Sequence, residues 1–386
     1  MKKIIGIVVV ILVVIGLIYW AKQADEAGTN NSTGPIKIGF MAPLSGTAAI
    51  YGEEARNMAL LAEDDINASG GIKGRPLDLI IEDGKCDGKT AVNVWKKLVE
   101  IDKTNIILGG HCSSETLSIA PLAPAAKVLI LANMISTSKI VNEGEWLFRH
   151  SPPNSYYARV TAEAVTADKI NKVTLLTEEK EFSVDFTENF KNKFNDLGGV
   201  IATDERFIPD TKDFRTIITK IKNVPTDAIL ISTQGPETMG LLLKQMRELG
   251  LDKPTIFNAA FNAKKILEVT GGYLPTNHYA VAPYTDISRP LVQDLFKRYQ
   301  EKFSVDPAFN RYFLVSTYDM VLRLKDALVQ CDGNTDIECV RSYFKEQKEQ
   351  QGLSGKITFN ESHQPESPVA LVRVINGQET YQPIGL

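Results

Sequence analysis

The pattern of apolar and polar residues between positions 36 and 82 predicts a strand, a helix and a second strand. The run 36–44 is almost entirely apolar, which is typical of a buried strand. Apolar residues then recur every three or four positions over 45–67, and Gly70 and Gly71 follow where a helix end needs a left-handed residue. Residues 77–82 alternate between apolar and polar side chains, which indicates a second strand. Units of this kind build parallel sheets.

The same alternation continues along the rest of the chain. Further strands are predicted at 105–109, 128–131, 173–176, 227–232, 255–257, 278–281, 356–359 and 370–375. Helices are predicted at 113–126, with interruptions at two prolines, and at 186–197, 214–221, 238–249, 291–302 and 308–330. Asn376-Gly377 is a typical hairpin turn. These segments predict an α/β fold, and 386 residues are enough for two domains.

The N-terminal segment differs from the rest of the chain. Two lysines precede an uncharged apolar run, 4–20, which is the pattern of an export signal. Each candidate cleavage site carries a bulky or charged residue, so the pattern favours an uncleaved signal anchor over a cleaved secretory peptide. Residues 1–21 are then an apolar anchor helix or a signal peptide, and residues 22–35 a polar tether. The protein is expected outside the cytoplasm, held at the membrane by this helix, or secreted or periplasmic if the segment is removed.

Charge and cysteine content narrow the class of protein. The formal net charge is −4 and no basic block is present, which argues against nucleic acid as a partner. The four cysteines, an even number in an exported chain, favour disulfides over free thiols. Cys331 and Cys339 enclose a short polar loop that a local disulfide could close, and Cys86 and Cys112 each follow a predicted strand. Their spacing fits no zinc-ligand pattern, and no metal is expected.

Four short segments give the chain a family resemblance. They are Ser-Gly-Thr-Ala-Ala-Ile-Tyr-Gly at 45–52, Ala-Ser-Gly-Gly-Ile-Lys-Gly-Arg-Pro at 68–76, Asp-Gly-Lys-Cys-Asp at 83–87 and His-Cys-Ser-Ser at 111–114. The chain resembles the branched-chain amino acid-binding proteins, which are type I periplasmic binding proteins that feed ABC importers. The resemblance implies two Rossmann-like lobes with parallel-type sheets, joined by three hinge crossovers and closing on a ligand. It also implies a disulfide between Cys86 and Cys112.

The resemblance divides the chain discontinuously between the lobes. Lobe I is expected to hold residues 36–149 and 285–355, and lobe II residues 150–284 and 356–386. Ligands of such sheets bind beyond the carboxyl ends of the strands. The partners implied are a small-molecule ligand and the permease subunits of an ABC importer.

Ser113 and Ser114 follow the third strand at the start of a predicted helix. A hydroxyl and backbone N–H groups there can bind a carboxylate, although a serine at this position can equally serve as a helix cap. The resemblance implies that Ser113 holds the ligand carboxylate. It further implies a backbone contact at Met134, a hydroxyl at Ser136 and aromatic walls at Tyr51 and Phe182.

An acid that pairs with a ligand ammonium in such proteins should fall near Phe261, yet residues 257–262 contain none. Glu237 and Asp286 are the candidates to replace it. An aliphatic amino acid remains the leading ligand by resemblance. Because burying an unpaired ammonium is costly, amides and carboxylates without an amine are alternatives.

Enzymatic chemistry is not expected. His111, Cys112 and Ser113 are adjacent, so their side chains point in different directions and cannot form a nucleophile–base pair. Neither a Gly-x-Ser-x-Gly elbow nor a complete phosphate-binding loop is present, and no cofactor is expected. The main alternative is a membrane-tethered ligand-sensing ectodomain. Since only three residues precede the apolar run, with no output domain there, a transport component is favoured.

Overall fold

The computed structural model describes residues 34–140, 143–275, 277–307, 311–361, 363–367, 369–375 and 378–384. The predicted anchor helix of residues 1–21, nearly all of the tether and the turn at Asn376-Gly377 lie outside the described residues. Within the described ranges, no helix is long and apolar enough to cross a membrane.

The first sheet has five parallel strands in the order β2-β1-β3-β4-β5. Its strands are β1 Ile36–Ala42, β2 Leu77–Asp83, β3 Ile106–Gly109, β4 Leu129–Ala132 and β5 Leu147–Arg149. Neighbouring residues in a strand enter different cores: Phe40 packs on one face and Met41 on the other. Both faces are therefore covered, as parallel sheets require.

The second sheet has seven strands in the order β15-β14-β10-β9-β8-β6-β7. Its strands are β6 Lys172–Glu178, β7 Val200–Phe207, β8 Ala228–Ser232, β9 Thr255–Phe257, β10 His278–Pro283, β14 Val369–Ile375 and β15 Gln378–Ile384. The five strands from β10 to β7 are parallel, whereas β14 and β15 form an antiparallel edge. A small antiparallel sheet contains β11 Glu349–Gly352, β12 Gly355–Phe359 and β13 Pro365–Glu366.

Helices cover the faces of the two large sheets. They are α1 Ala49–Ala68, α2 Gly88–Lys96, α3 Ser113–Ile119, α4 Ala123–Ala126, α5 Asn154–Ala167, α6 Glu181–Asp196, α7 Arg215–Lys222, α8 Pro236–Glu248, α9 Ala263–Thr270, α10 Pro290–Phe303, α11 Arg311–Gln330 and α12 Ile337–Glu346. A 3₁₀ turn, Ala120–Leu122, separates α3 from α4 where the prolines predicted an interruption.

The chain passes between the large sheets more than once. After β5 it enters α5 and the second sheet, and after β10 it returns, because α10 and α11 pack into the core of the first sheet. It ends in β14 and β15 of the second sheet. The α/β fold with mainly parallel sheets is thus confirmed. In the small sheet, β12 was predicted at 356–359, whereas β11 and β13 were not. Several other elements, including β5, β7, α2 and α5, were also not predicted.

Candidate functional site

A cleft lies at the carboxyl ends of strands from both large sheets, where open α/β sheets bind ligands. Its lining residues come mostly from the loops that follow β1, β3, β4, β6, β8 and β9. They are Pro43, Tyr51, His111, Cys112, Ser113, Met134, Ser136, Phe182, Gln234, Ala259, Ala260 and Phe313. The two sheets therefore share one site, built from segments far apart in sequence.

The segment after β3 forms one wall of this cleft. Gly109 and Gly110 adopt positive φ values of 128° and 65°, which turn the chain sharply before α3. His111 donates from Nδ1 to the carbonyl oxygen of Met41 at 2.7 Å. Ser113 is the first residue of α3 and is 3% exposed. The turn thus places a histidine and a serine hydroxyl side by side in the cleft.

A disulfide and a buried acid fix this segment. Cys86 and Cys112 are joined, with their Cα atoms 5.2 Å apart. Glu115 accepts the backbone N–H groups of Cys86 at 2.9 Å and of Cys112 at 3.0 Å. Burial raises the pKa of Glu115 to about 7, although both hydrogen bonds act in the opposite direction. The second pair, Cys331–Cys339, is also joined and is not among the residues that line the cleft, so both predicted disulfides are confirmed.

The loop after β4 brings Met134 and Ser136 to the cleft. Arg149 on β5 is fully buried; it donates to Glu143 through two nitrogens and to the carbonyl oxygen of Thr137 at 2.8 Å. Ser136 is 1% exposed, and its hydroxyl oxygen lies 3.4 Å from that of Ser151. Buried polar contacts therefore hold this loop, and they leave Ser136 at the cleft surface.

Side chains from the two sheets meet across the cleft. Tyr51 on α1 donates its hydroxyl hydrogen to the carbonyl oxygen of Ala260, after β9, at 3.3 Å. Gln234, after β8, donates to Cys112 Sγ at 3.9 Å. Burial, with Glu178 and Glu54 nearby, raises the pKa of Tyr51 well above 10, so the phenol stays protonated. These contacts belong to a cleft whose two sides touch.

Two predicted site residues do not line the cleft. Ser114 donates its hydroxyl hydrogen to the Cys86 carbonyl oxygen at 2.9 Å, because one step along a helix turns the side chain by about 100° from Ser113. Phe261 stacks on Phe257 at 5.1 Å and on His278 at 5.4 Å inside the second sheet's core. The other five, Tyr51, Ser113, Met134, Ser136 and Phe182, lie together.

Within the part of the chain that the structure describes, the lining residues include no carboxylate. Glu237 and Asp286 are exposed and lie outside the cleft. Glu178 is buried behind the lining, where it accepts the Gln234 backbone N–H at 2.7 Å. Within the described ranges, no cluster of His, Cys, Asp and Glu could hold a metal ion. The polar groups offered to a ligand are therefore hydroxyls, an amide and an imidazole.

Several lining residues were not predicted. Pro43, His111 and Gln234 follow strands, so position after a strand end could have indicated them. Ala259 and Ala260 lie just before the predicted Phe261. Phe313 comes from helix α11, and no local pattern indicates that this helix reaches the loops of the first sheet.

Comparisons with known proteins agree with this fold. A match to the periplasmic binding protein family covers residues 35–379. The leucine-, isoleucine-, valine-, threonine- and alanine-binding protein of Pseudomonas aeruginosa is 30% identical over 59% of this chain and 61% of its own length. The matched stretch thus spans about three fifths of that relative.

Two solved structures share the fold. The branched-chain amino acid transporter substrate binding protein LivJ from Streptococcus pneumoniae, in complex with isoleucine, has a TM-score of 0.80 and 24% identity, over 91% of this chain and 99% of LivJ. A solute binding protein of an ABC transporter from R. palustris, in complex with benzoate, has a TM-score of 0.78 and 17% identity, over 90% of this chain and 95% of its own. Because the family match spans nearly the whole described chain, this protein belongs to the periplasmic binding protein family.

Proposed function

We propose that this chain is the extracytoplasmic solute-binding component of an ABC importer and that it closes two lobes on a small carboxylate, with an aliphatic amino acid as the leading ligand. The observation that carries this proposal is the cleft shared by the two sheets, in which the hydroxyls of Ser113 and Ser136 lie among apolar walls. The relative from Pseudomonas aeruginosa and the isoleucine complex of LivJ support an amino acid as the ligand.

The binding mode follows from the chemistry of the lining residues. The Ser113 hydroxyl, which lines the cleft at the start of α3, donates to the ligand carboxylate, and Ser136 adds a second hydroxyl. Tyr51 lies on α1, which packs on the first sheet, and Phe182 lies on α6, which packs on the second sheet. Both side chains cover the apolar part of the ligand. A mainly apolar pocket with a few polar groups is typical of small-molecule sites.

Closure of the cleft needs two lobes that move about a hinge. Residues 36–149 with 285–355 form lobe I in this proposal, and 150–284 with 356–386 form lobe II. The passage of the chain from β5 to β6, and from β10 to α10, supports these boundaries. The hydrogen bond from Tyr51 to the Ala260 carbonyl then joins the lobes in the closed form.

A carboxylate without an amine is the second candidate ligand, because no described residue that lines the cleft carries a negative charge. An ammonium buried without a counter-charge costs several kcal/mol. The benzoate complex shows that a protein of this fold binds such an acid. Amides remain a further alternative.

The apolar run 4–20 supports a membrane tether, which importer and sensor functions share. An intact mass that includes residues 1–21 in the protein isolated from membranes is the expected result, and loss of this segment would contradict the tether.

Loss of ligand uptake on deleting the protein, with uptake restored by the full chain, separates an importer component from a ligand-sensing ectodomain.

The test of the binding site is calorimetric titration of the full chain with branched-chain amino acids and short-chain acids. Hydrogen bonds to charged groups contribute about 1.5 to 3 kcal/mol, so Ser113→Ala should weaken binding by about tenfold to a hundredfold. Ser114→Ala is the matched control, since that hydroxyl is bonded to Cys86 outside the cleft. Equal affinities of the wild type and Ser113→Ala would remove Ser113 from the site.

A further inference from the structure

The imidazole of His111 presents an unused acceptor at the cleft. Its Nδ1 lies 2.7 Å from the Met41 carbonyl oxygen, which can only accept, so Nδ1 carries the hydrogen. The ring packs against Phe40, with centroids 5.0 Å apart. The other nitrogen, Nε2, is buried and has no hydrogen-bond partner within the described ranges.

The ring is neutral, and this fixes the role of Nε2. Burial lowers the pKa of His111 to about 4, so the imidazole is uncharged at physiological pH. A neutral imidazole with its hydrogen on Nδ1 has a lone pair on Nε2 and acts there as an acceptor only. The Gln234 amide, a cleft donor from another loop, donates to Cys112 Sγ.

Buried polar atoms nearly always have a partner in native proteins, and an unsatisfied one is costly. The residue is 6% exposed and lines the cleft beside Ser113, so a bound molecule can supply the missing donor. We propose that Nε2 of His111 accepts a hydrogen bond from an N–H or O–H group of the ligand, which makes His111 a specificity-determining residue for carboxylates that carry such a donor.

This inference rests on the proposed function and extends it. A carboxylate bound by Ser113 and a donor bound by His111 place the two polar groups of the ligand close together, as in a 2-amino or 2-hydroxy acid. Because the acceptor is uncharged, an ammonium is not required and a hydroxyl serves as well. An acid that lacks a donor leaves Nε2 unpaired and binds more weakly.

The experiment compares three probes of similar shape: L-leucine, L-2-hydroxy-4-methylpentanoate and 4-methylpentanoate. Each is titrated by calorimetry into the full chain as wild type, His111→Leu, His111→Gln and His278→Leu. The last is a matched control. His278 also has a buried Nε2 with no hydrogen-bond partner among the described residues, and its Nδ1 is bonded to the Pro275 carbonyl oxygen, but it lies outside the cleft.

In the wild type, at least one of the two donor-bearing probes should bind about tenfold or more tightly than 4-methylpentanoate. His111→Leu should remove this preference by weakening the donor-bearing probes, with 4-methylpentanoate unchanged or tighter. His111→Gln, which keeps an acceptor, should restore part of it, and His278→Leu should keep all of it. Far-UV circular dichroism and thermal midpoints confirm that the variants are folded.

The outcomes separate the two proposals. If the wild type binds a carboxylate and His111→Leu keeps the same preference among the probes, the inference is overturned while the proposed function stands. An equal loss for all three probes also overturns it, since that result reports general damage to the cleft. If no carboxylate binds the wild type, the proposed function fails and the inference fails with it.

Discussion

The two disulfides offer a direct test of how this fold supports its cleft. Cys86–Cys112 closes a segment with a sequence separation of 26, and Cys331–Cys339 one with a separation of 8. All four cysteines are paired, so replacing each pair by alanine leaves no free thiol behind. The two double variants differ in the location of the lost bond.

The loss of stability can be estimated from loop closure in the unfolded chain. The entropy that a disulfide removes grows with the logarithm of loop length, which gives about 3.5 kcal/mol at 25 °C for Cys86–Cys112 and about 2.5 kcal/mol for Cys331–Cys339. We therefore expect both double variants to lower the free energy of unfolding, by amounts that differ by only about 1 kcal/mol.

The effects on ligand binding should differ much more. Cys112 lines the cleft directly before Ser113, and the N–H groups of Cys86 and Cys112 share Glu115 as acceptor. Without this disulfide the two loops lose their covalent link and keep the weaker hydrogen bonds to Glu115, so ligand affinity should fall by about tenfold or more. Removal of Cys331–Cys339 should change affinity by less than about twofold.

The assays are chemical denaturation for stability and calorimetric titration with the best ligand, at a temperature where each variant is folded. Wild-type affinity in the Cys86→Ala/Cys112→Ala variant would refute the reasoning. Equal losses of affinity in both double variants would also refute it, because binding would then follow global stability.

Two further predictions concern the same wall of the cleft. Gly109→Ala should lower the free energy of unfolding by about 1 to 3 kcal/mol or more and weaken binding, because its Cβ would lie 2.1 Å from the Met41 carbonyl oxygen at a φ of +128°. Gly198→Ala is the control in denaturation, since Gly198 also has a positive φ but no atom near an added Cβ. Equal effects of the two substitutions would contradict the prediction. Burial raises the folded-state pKa of Glu115 to about 7, so its contribution to stability is fully present below about pH 4.5 and is lost as the pH rises through about 7. The unfolding free energy of the wild type should therefore fall by about 3 kcal/mol relative to Glu115→Gln between these limits, and a difference that does not change with pH would exclude this titration.

The sequence by itself determined the repeating units of the fold. Consecutive residues of a strand buried on both faces must be apolar, as Phe40 and Met41 are. The helices between strands carry apolar residues at helical spacing. The end of each strand then marks a position near the ligand site, because the carboxyl ends of parallel strands meet at one edge. Ser113 could be predicted as a cleft residue for this reason, with support from the family resemblance, whereas Ser136 was predicted from the resemblance.

Only the tertiary structure decided which of these side chains face one another. Ser113 and Ser114 are equivalent in sequence terms, but helix geometry turns Ser114 toward Cys86. Phe313 reaches the cleft through packing of α11 against the first sheet, and the hydrogen bond from Tyr51 to Ala260 joins positions 209 residues apart. The periodicity of apolar residues in the sequence indicates which residues are buried. The direction of a loop side chain, in contrast, depends on distant segments that fold around it.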